Sequence, residues 1–283
     1  MAAMTDLSSL PLALIGGGNM ARGLIGGLIA KGASPALITV AEPDAAGRDA
    51  LHHSFGVTVT SDNAAAIRGA RVVVLAVKPQ IMAQVVRALA PALLLSRPLV
   101  ISVAAGIRVG DLQGWIGAGV PVVRCMPNRP ALIGAGATGL YADAGVGAAA
   151  RALALQVLAS TGLAVWVQRE SDIDLVTALS GSGPAYFFRL AELMAEAAIA
   201  QGLDATVARQ LAAQTLAGAG QLVAAEAAPD LARMRAEVTS RGGTTEAALQ
   251  CFSTLAFDSI VAAAMRAAAL RSHELAEQFG NQQ

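Results

Sequence analysis

Short apolar runs recur along the first 168 residues of the chain, and they constrain the fold more than any other feature of the sequence. They are rich in β-branched residues and nearly continuous in hydrophobicity, as expected of strands buried on both faces of a parallel sheet. The runs stand at 12–15, 37–41, 71–77, 98–103 and 121–124. Segments with helical spacing of apolar residues, such as 81–90, separate them. The alternation predicts a doubly wound, Rossmann-type α/β domain over residues 1–168.

The second part of the chain, residues 169–283, follows a different pattern. Alanine, leucine, glutamate and arginine dominate, and strand-like runs disappear. A long helix is predicted from Pro184 to Gly202, because proline is tolerated in a first helical turn and glycine commonly ends a helix. A second helix is predicted at 205–225, and a last one begins near Thr245, is interrupted, and runs on towards Glu274. We therefore expect an all-helical C-terminal domain.

Composition and charge exclude several classes of protein. Hydrophobic residues make up 55% of the chain and charged residues 14%, which excludes a disordered chain. With 20 basic and 20 acidic residues the formal charge is +0, so no field attracts nucleic acid or an anionic membrane. The uncharged stretch between Arg151 and Arg169 contains polar and glycine breaks, and it predicts a helix, a turn and a strand instead of a membrane span. Residues 1–10 do not resemble a secretory signal, so we expect a cytoplasmic protein.

Groups that bind metals or move protons are sparse. The two cysteines, Cys125 and Cys251, form neither a disulfide framework nor a metal site, and we expect two reduced, buried thiols. No metal centre is expected. The chain has three histidines, and its two lysines are Lys31 and Lys78.

A glycine-rich loop follows the first predicted strand and opens a predicted helix. It has the pattern G-x-G-x-x-A at Gly16, Gly18 and Ala21. The first glycine permits a tight turn, the second lets the backbone approach a pyrophosphate, and the third small residue lets helix and strand pack closely. The helix start also offers free N–H groups to phosphates. This context favours a dinucleotide site over a plain strand–helix turn.

Glu42 stands at the end of the second predicted strand, about 20 residues beyond the loop, where an acid can accept hydrogen bonds from an adenosine ribose. Such a contact favours NADH, because a carboxylate repels the 2′-phosphate of NADPH. Arg48 lies close in sequence and partly offsets that charge. A solvated carboxylate at the strand end explains Glu42 equally well. The residues leave the choice between NADH and NADPH open.

Several longer motifs resemble those of pyrroline-5-carboxylate reductases. They are IGGGNMA at 15–21, LAVKPQ at 75–80, VAAG at 103–106, RCMPN at 124–128, LSGSGPAY at 179–186, QT at 214–215 and VTSRGGTT at 238–245. They occur in the order of the family over about residues 11–275. Together they are highly specific, whereas each alone is moderately so.

The resemblance implies hydride transfer from NADPH or NADH to the imine carbon of 1-pyrroline-5-carboxylate, which gives L-proline in the last step of proline biosynthesis. It also implies that the C-terminal helices form a homodimer, assembled into a larger homo-oligomer. The cofactor contacts that it implies are Gly16, Gly17, Gly18, Asn19, Met20, Ala21, Glu42, Asn63, Ala76, Val77, Lys78, Pro79, Ala104 and Ala105.

The resemblance places the small-molecule substrate at Gly242, Gly243, Thr244 and Thr245, with Glu170 on the same side. This Gly-Gly-Thr-Thr segment precedes a helix, so its amides can converge on the substrate carboxylate. Thr245 is the candidate catalytic residue, since its hydroxyl can bond the ring nitrogen. An imine that arrives protonated needs only positioning in a dry, polar-matched site. Glu170 favours the iminium charge, acts through water, or is simply a helix-entry carboxylate.

Two residues depart from the family pattern. Arg241 stands where the family usually has proline, and Arg129 stands where it usually has threonine. Arg241 either draws in the substrate carboxylate or points to solvent, and the conformation of its loop stays open. Residues 229–238 also form a slightly longer stretch than is usual, so no role is transferred there.

This chain lacks the catalytic groups that other two-domain dehydrogenases need. The β-hydroxyacid type needs a lysine in the helical domain, and no lysine follows Lys78. The lactate type needs a central histidine, whereas His52 and His53 fall in the cofactor domain and His273 falls near the C-terminus. A catalytically silent dinucleotide-binding protein stays open, although the intact Gly-Gly-Thr-Thr motif argues against it.

Overall fold

The computed structural model describes residues 6–280, and within them the chain forms eight strands and twelve α-helices. The strands are β1 (Leu12–Ile15), β2 (Ile38–Ala41), β3 (Thr58–Thr60), β4 (Val72–Leu75), β5 (Leu99–Ser102), β6 (Val122–Met126), β7 (Gly136–Tyr141) and β8 (Gly162–Trp166). The helices are α1 (Asn19–Ala30), α2 (Ala45–Phe55), α3 (Asn63–Ala66), α4 (Pro79–Ser96), α5 (Val109–Ile116), α6 (Ala148–Leu158), α7 (Asp172–Val176), α8 (Gly183–Ala200), α9 (Ala205–Ala224), α10 (Leu231–Glu237), α11 (Thr244–Thr254) and α12 (Phe257–Gly280). A π-helical turn, Thr177–Gly181, follows α7.

All eight strands form one sheet in the order β3-β2-β1-β4-β5-β6-β7-β8. Neighbouring strands are parallel except for β6 and β7, which pair antiparallel. The five predicted apolar runs are the consecutive strands β2, β1, β4, β5 and β6, which confirms the doubly wound prediction. The helix, turn and strand predicted between Arg151 and Arg169 are also confirmed, by the end of α6 and by β8. Strands β3 and β7 were not predicted.

Each face of the sheet carries its own hydrophobic core. Leu12 and Leu14 belong to one core and Ala13 and Ile15 to the other, because successive residues of a strand face opposite sides. Helices α1, α2 and α6 cover the first core, and α4 and α5 cover the second. Full burial of each leucine or isoleucine stabilises the fold by about 1.5–3 kcal/mol. The two cores hold the carboxyl edge of the sheet in place.

Helix α4 is long and apolar enough to cross a membrane by length and composition. Met82, Val86, Leu89 and Leu93 recur along it at helical spacing and are buried in the second core. In this structure α4 therefore packs as a core helix against the sheet. The bent pair α11 and α12 passes the same test only when the two helices are counted together.

The described chain divides into two compact units. The sheet unit comprises residues 6–182 and 268–280, and the helical unit comprises Gly183–Ala267. Helix α12 begins in the helical unit and ends in the sheet unit. The domain boundary predicted after residue 168 stays a prediction.

The predicted helices of the second half are present. Those predicted at 184–202 and 205–225 are α8 and α9, and the interrupted last helix is α11 followed by α12. The interruption lies at Ala256, whose φ of +54° is left-handed. Helices α7 and α10 were not predicted.

The helical unit exposes much apolar surface. Phe187 and Phe188 are each 61% exposed, and Leu222 is 62% exposed. Among the described residues of this unit, the buried hydrophobic side chains are those of Ala195 and Ala208. So many exposed large apolar side chains in one unit indicate a binding face.

The two cysteines differ in burial. Cys125 on β6 is buried, and its thiol donates to the Ser102 carbonyl oxygen at 3.2 Å. Burial raises the pKa of the Cys125 thiol. Cys251 on α11 is exposed, so the prediction of a buried thiol is wrong there. The reason is that α11 buries no side chain within the chain as described.

Candidate active site

The predicted cofactor residues all follow the carboxyl ends of five neighbouring parallel strands. The residues 16–21 follow β1, Glu42 follows β2, Asn63 follows β3, Ala76–Pro79 follow β4, and Ala104 and Ala105 follow β5. Parallel neighbours end at the same edge of a sheet, so segments that are far apart in sequence meet there. The strand order reverses between β1 and β4, and in open α/β sheets the ligand crevice forms at such a point.

The glycine loop turns sharply from β1 into α1. Gly16 has φ +100°, and a Cβ on it would lie 2.7 Å from the carbonyl oxygen of Ala76, so only glycine fits. At Gly18 a Cβ would meet no atom within 4 Å. Gly18 is the N-cap of α1, and among residues 6–280 no side chain caps that helix end. A tight turn, open space and uncapped helix amides together fit a pyrophosphate.

Helix α1 begins with Asn19 and Met20 and then packs closely on the sheet. Ala21 is 1% exposed, which agrees with the small residue that close packing requires at this position. Leu24, Ile25 and Leu28 follow at helical spacing and are buried in the first core. This face fixes the start of α1 beneath the glycine loop.

Glu42 is turned towards the glycine loop. Its Oε2 accepts a hydrogen bond from the Gly17 N–H at 2.9 Å, and its Oε1 accepts one from the Asp44 N–H at 3.1 Å. Arg48 donates to the carbonyl oxygens of Glu42 at 2.9 Å and of Pro43 at 2.8 Å. The carboxylate thus holds the loop itself, a role that the sequence did not predict. Its contact with a ribose stays a prediction.

The segment Ala76–Pro79 leads from β4 into α4. The Ala76 N–H donates to the Ile15 carbonyl oxygen at 2.8 Å, which ties this segment to the end of β1. Val77 is half-buried, and a Cβ on Gly16 would lie 3.2 Å from its Cγ1. Lys78 is exposed at the N-cap of α4, and Pro79 is the first helical residue. The segment borders the glycine loop directly.

The turn after β5 and the start of α3 hold the remaining cofactor residues. Ala104 is buried and Ala105 is exposed, and the Ala104 N–H donates to the Ser102 hydroxyl at 3.4 Å. Asn63 is the first residue of α3 and is half-buried. Asp62 caps that helix through the Ala64 and Ala65 N–H groups at 2.8 and 3.2 Å.

The predicted substrate segment forms a tight turn at the start of α11 in the helical unit. The Gly243 N–H donates to the Ser240 carbonyl oxygen at 3.0 Å, and Gly242 has φ +73°. This geometry matches a type II turn with the exposed Arg241 in its second position. The Gly242 N–H donates to Glu246 Oε2 at 2.7 Å.

The start of α11 therefore offers only part of the predicted set of amides. The Gly243 N–H is engaged by Ser240 within the turn, the Gly242 N–H is engaged by the Glu246 carboxylate, and Gly243 is the N-cap of the helix. Thr244 and Thr245 form its first turn, with Thr244 exposed and Thr245 half-buried. Glu246 was not predicted, although an acid three residues after an N-cap signals such a bond.

Glu170 lies between β8 and α7 and belongs to an ion pair in the sheet unit. Its Oε1 accepts hydrogen bonds from Arg124 Nη1 at 3.1 Å and from the Val109 N–H at 2.7 Å. Arg124 is 3% exposed, whereas the Glu170 side chain is 26% exposed. Arg124 and Val109 were not predicted as partners, because neither is near Glu170 in sequence. The predicted place of Glu170 on the substrate side stays a prediction.

Asn128 connects two of the recognised motifs. Its Nδ2 donates to the Ser180 carbonyl oxygen in the π-helical turn at 2.9 Å, and its Oδ1 accepts from the Ala137 N–H at 2.8 Å. Arg129, the next residue, is exposed. The side chain of Asn128 thus holds the π-helical turn against the sheet. Single π-helical turns often occur at functional sites.

Two family models match the chain. Residues 170–275 match the pyrroline-5-carboxylate reductase dimerisation model, and residues 11–106 match a model described as NADP oxidoreductase coenzyme F420-dependent. A pyrroline-5-carboxylate reductase of Pseudomonas aeruginosa is 48% identical over 275 residues, which cover 97% of this chain and 100% of the relative. One from Vibrio alginolyticus is 42% identical over 268 residues, covering 95% and 98%.

Solved structures give the same match. A pyrroline-5-carboxylate reductase from Coxiella burnetii has a TM-score of 0.90 at 38% identity and covers 94% of this chain and 98% of its own. A Plasmodium falciparum pyrroline carboxylate reductase with NADP bound has a TM-score of 0.80 at 26% identity and covers 96% and 100%. The likeness extends through both units of the chain.

Proposed function

Because the chain belongs to the pyrroline-5-carboxylate reductase family, we propose that it reduces 1-pyrroline-5-carboxylate to L-proline, the last step of proline biosynthesis. The reaction is an NAD(P)H-dependent reduction of a C=N bond, in which a hydride reaches the imine carbon and a proton resides on the ring nitrogen. The observation that carries this proposal is the match to pyrroline-5-carboxylate reductases over nearly the whole chain, and the meeting of five predicted cofactor segments at the carboxyl edge of one sheet supports its nicotinamide part.

We propose a place for each end of the dinucleotide, and the strand order supports it. Gly16, Gly17, Gly18, Asn19, Met20 and Ala21, which follow β1, would hold the pyrophosphate. Glu42 and Asn63, which follow β2 and β3, would hold the adenosine side, and the segments after β4 and β5 would hold the nicotinamide side. That side is formed by Ala76, Val77, Lys78, Pro79, Ala104 and Ala105. When bound, NADPH or NADH supplies the hydride.

The start of α11 supplies the substrate contacts. The N–H groups of Thr244 and Thr245 receive the substrate carboxylate, and the helix dipole adds to the attraction. Gly242 and Gly243 shape the turn, because their own N–H groups are engaged. Thr245 is the catalytic residue: its hydroxyl holds the ring nitrogen. Orientation of this kind lowers the barrier without a strong acid.

Glu170 is the remaining substrate-side residue of the proposal. Its carboxylate favours the positive charge of the protonated imine, since a negative group stabilises a nearby cation. The hydrogen bonds from Arg124 and Val109 to Oε1 fix the orientation of the group. Arg124 and Val109 are therefore positioning residues.

The chain works as a homodimer, which the match to the dimerisation model over residues 170–275 supports. The exposed phenylalanines and leucines of the helical unit supply the apolar surface that such a contact needs. We further propose that dimers assemble into a larger homo-oligomer and that the enzyme acts in the cytoplasm, without a membrane or nucleic-acid partner.

The direct test is an assay of the purified chain with 1-pyrroline-5-carboxylate and either NADPH or NADH. We expect loss of the reduced-nicotinamide absorbance together with formation of proline. If neither cofactor is oxidised, the reductase proposal fails and a silent dinucleotide-binding protein takes its place.

The choice of cofactor has its own test. A carboxylate near the adenosine ribose disfavours a 2′-phosphate, so Glu42→Gln should raise kcat/KM for NADPH relative to NADH. Both values are measured on the same preparation, beside the unaltered chain. An unchanged ratio would mean that Glu42 acts only on the glycine loop.

A further inference from the structure

The last part of α12, residues 268–280, packs on the sheet unit along one face. Ser272 is 6% exposed and Ala276 is 1% exposed, and Phe279 packs against the second core. Positions spaced i, i+4 and i+7 lie on one side of a helix. The neighbouring Gln278 is exposed. This C-terminal segment is therefore attached to the sheet unit by a defined set of side chains.

Two contacts fix the C-terminal segment. The Ser272 hydroxyl donates to Oδ1 of Asp174 on α7 at 2.7 Å. About two turns further on, the Phe279 ring lies against Gly106, where an added Cβ would be 2.8 Å from Phe279 Cδ2. Gly106 also has φ +75°, in the left-handed region. Both the backbone and the ring therefore require glycine at 106.

Gly106 belongs to the turn that follows β5. It comes directly after Ala104 and Ala105, which the proposed function places on the nicotinamide side of the carboxyl edge. Ala104 and Gly106 are buried, whereas Ala105 is exposed. The Phe279 ring thus packs on the buried side of the turn and leaves Ala105 open to solvent.

We propose that Phe279 is a positioning residue for hydride transfer. This role of Phe279 rests on the proposed function, because it assumes that the turn 104–106 borders the nicotinamide. Phe279 acts through Gly106 and touches neither substrate nor cofactor. Removal of the ring leaves a void beneath the turn, and a turn free to shift no longer holds the nicotinamide at a fixed distance from the imine carbon. Hydride transfer depends steeply on such placement.

The adenosine side gives an internal control. Its residues, Glu42 and Asn63, follow β2 and β3, which lie on the far side of β1 and β4 from the turn after β5. A positioning role therefore predicts an effect on the nicotinamide end alone. A general loss of folding would weaken both ends together.

The experiment compares Phe279→Ala, Phe279→Leu and Gln278→Ala with the unaltered chain. For Phe279→Ala we expect kcat to fall about tenfold or more, since misplacement by about 1 Å can cost 10²-fold. The fluorescence of bound reduced nicotinamide should change, whereas the Kd for ADP-ribose and 2′-phospho-ADP-ribose should not. Phe279→Leu should recover part of kcat, and Gln278→Ala should match the unaltered chain.

Two results would overturn the role of Phe279. One is a Phe279→Ala variant whose kcat and nicotinamide fluorescence equal those of the unaltered chain. The other is a parallel loss of affinity for NAD(P)H and for the ADP-ribose fragments, which would indicate a merely structural role. If Phe279→Ala does not fold, the affinities for NAD(P)H and for the ADP-ribose fragments are compared in Phe279→Leu and Ser272→Ala instead.

This test is separable from that of the proposed function. Absence of turnover in the unaltered chain defeats the reductase proposal. The contrast between NAD(P)H and ADP-ribose binding needs no turnover, so it tests Phe279 even then.

Discussion

The sheet unit and the helical unit bury their apolar residues to very different extents. In the sheet unit, Leu14, Ile15 and Ile101 are fully buried in two cores on either side of the sheet. In the helical unit, Phe187, Phe188 and other large apolar side chains are exposed. The first unit encloses its apolar side chains in cores of its own, whereas the second exposes them as one side of a protein–protein interface does. The difference indicates that the helical unit depends on a second copy for burial.

The largest effect is expected from a charge on the exposed apolar face. Phe187→Asp should raise the Kd of the homodimer roughly a thousandfold, because each dimer loses two aromatic side chains worth about 2 kcal/mol each. Sedimentation velocity over a range of concentrations measures the change. The matched control is Leu95→Asp in the sheet unit, where Leu95 is 89% exposed. If both variants stay dimeric, or both dissociate, the two surfaces do not differ as described.

A second effect concerns the stability of the sheet unit alone. Arg124→Met leaves Glu170 without its cation and should lower the free energy of unfolding by about 3 kcal/mol, a moderate value because Glu170 keeps some contact with water. Urea unfolding followed by tryptophan fluorescence reports on this unit specifically, since Trp115 and Trp166 both lie in it.

The control for Arg124→Met is Arg169→Met, which breaks the exposed pair of Arg169 with Asp172. The Arg169 guanidinium lowers the pKa of the Asp172 carboxyl. We expect no measurable change in unfolding at neutral pH, because exposed pairs are well screened. Equal losses in the two variants would show that burial does not distinguish the pairs.

The third effect distinguishes catalysis by the helical unit from cofactor binding by the sheet unit. Thr245→Ala should lower kcat by roughly 10- to 100-fold, which corresponds to the loss of a hydrogen bond of about 1.5–3 kcal/mol to a charged group. The Kd for NADPH and NADH should stay nearly unchanged, since the cofactor residues lie in the sheet unit. Thr245→Ser keeps the hydroxyl and should retain most of kcat. A matching loss of cofactor affinity would show that Thr245 has been misassigned.

The smallest effect is expected at the turn before α11. Arg241 occupies the second position of a type II turn, where proline is favoured. Arg241→Pro should stabilise the helical unit by about 0.4–1 kcal/mol by restricting the unfolded chain. Thermal unfolding of the dimer measures the change. The same variant tests the charge: a higher KM for 1-pyrroline-5-carboxylate would mean that Arg241 draws in the substrate carboxylate.

The sequence predicted those strands whose hydrophobicity is continuous. Five runs became central strands because burial on both faces leaves little room for polar residues. Strand β3, Thr58–Thr60, is short and polar, and β7, Gly136–Tyr141, contains two glycines, so neither has a strand pattern. Their pairing is decided by the neighbouring strands, which no local pattern records.

The candidate site was predictable where one short motif determines the local backbone conformation. The loop at 16–21 specifies a turn and a helix start within a few residues, and the structure has both. The partners of Glu170 were not predictable, since Arg124 and Val109 are brought to it by the sheet. The Gly242–Glu246 bond was within reach of sequence patterns, because its partners are one helical turn apart.

The hydrogen bond between the Gly17 N–H and Glu42 has a consequence for affinity. It ties the glycine loop in its final shape before any dinucleotide arrives. The backbone entropy of the loop is therefore lost when the chain folds and is not lost again on binding. Preorganisation of this kind strengthens binding without adding a single contact to the ligand, and it makes Glu42 a determinant of cofactor affinity even where it does not touch the cofactor.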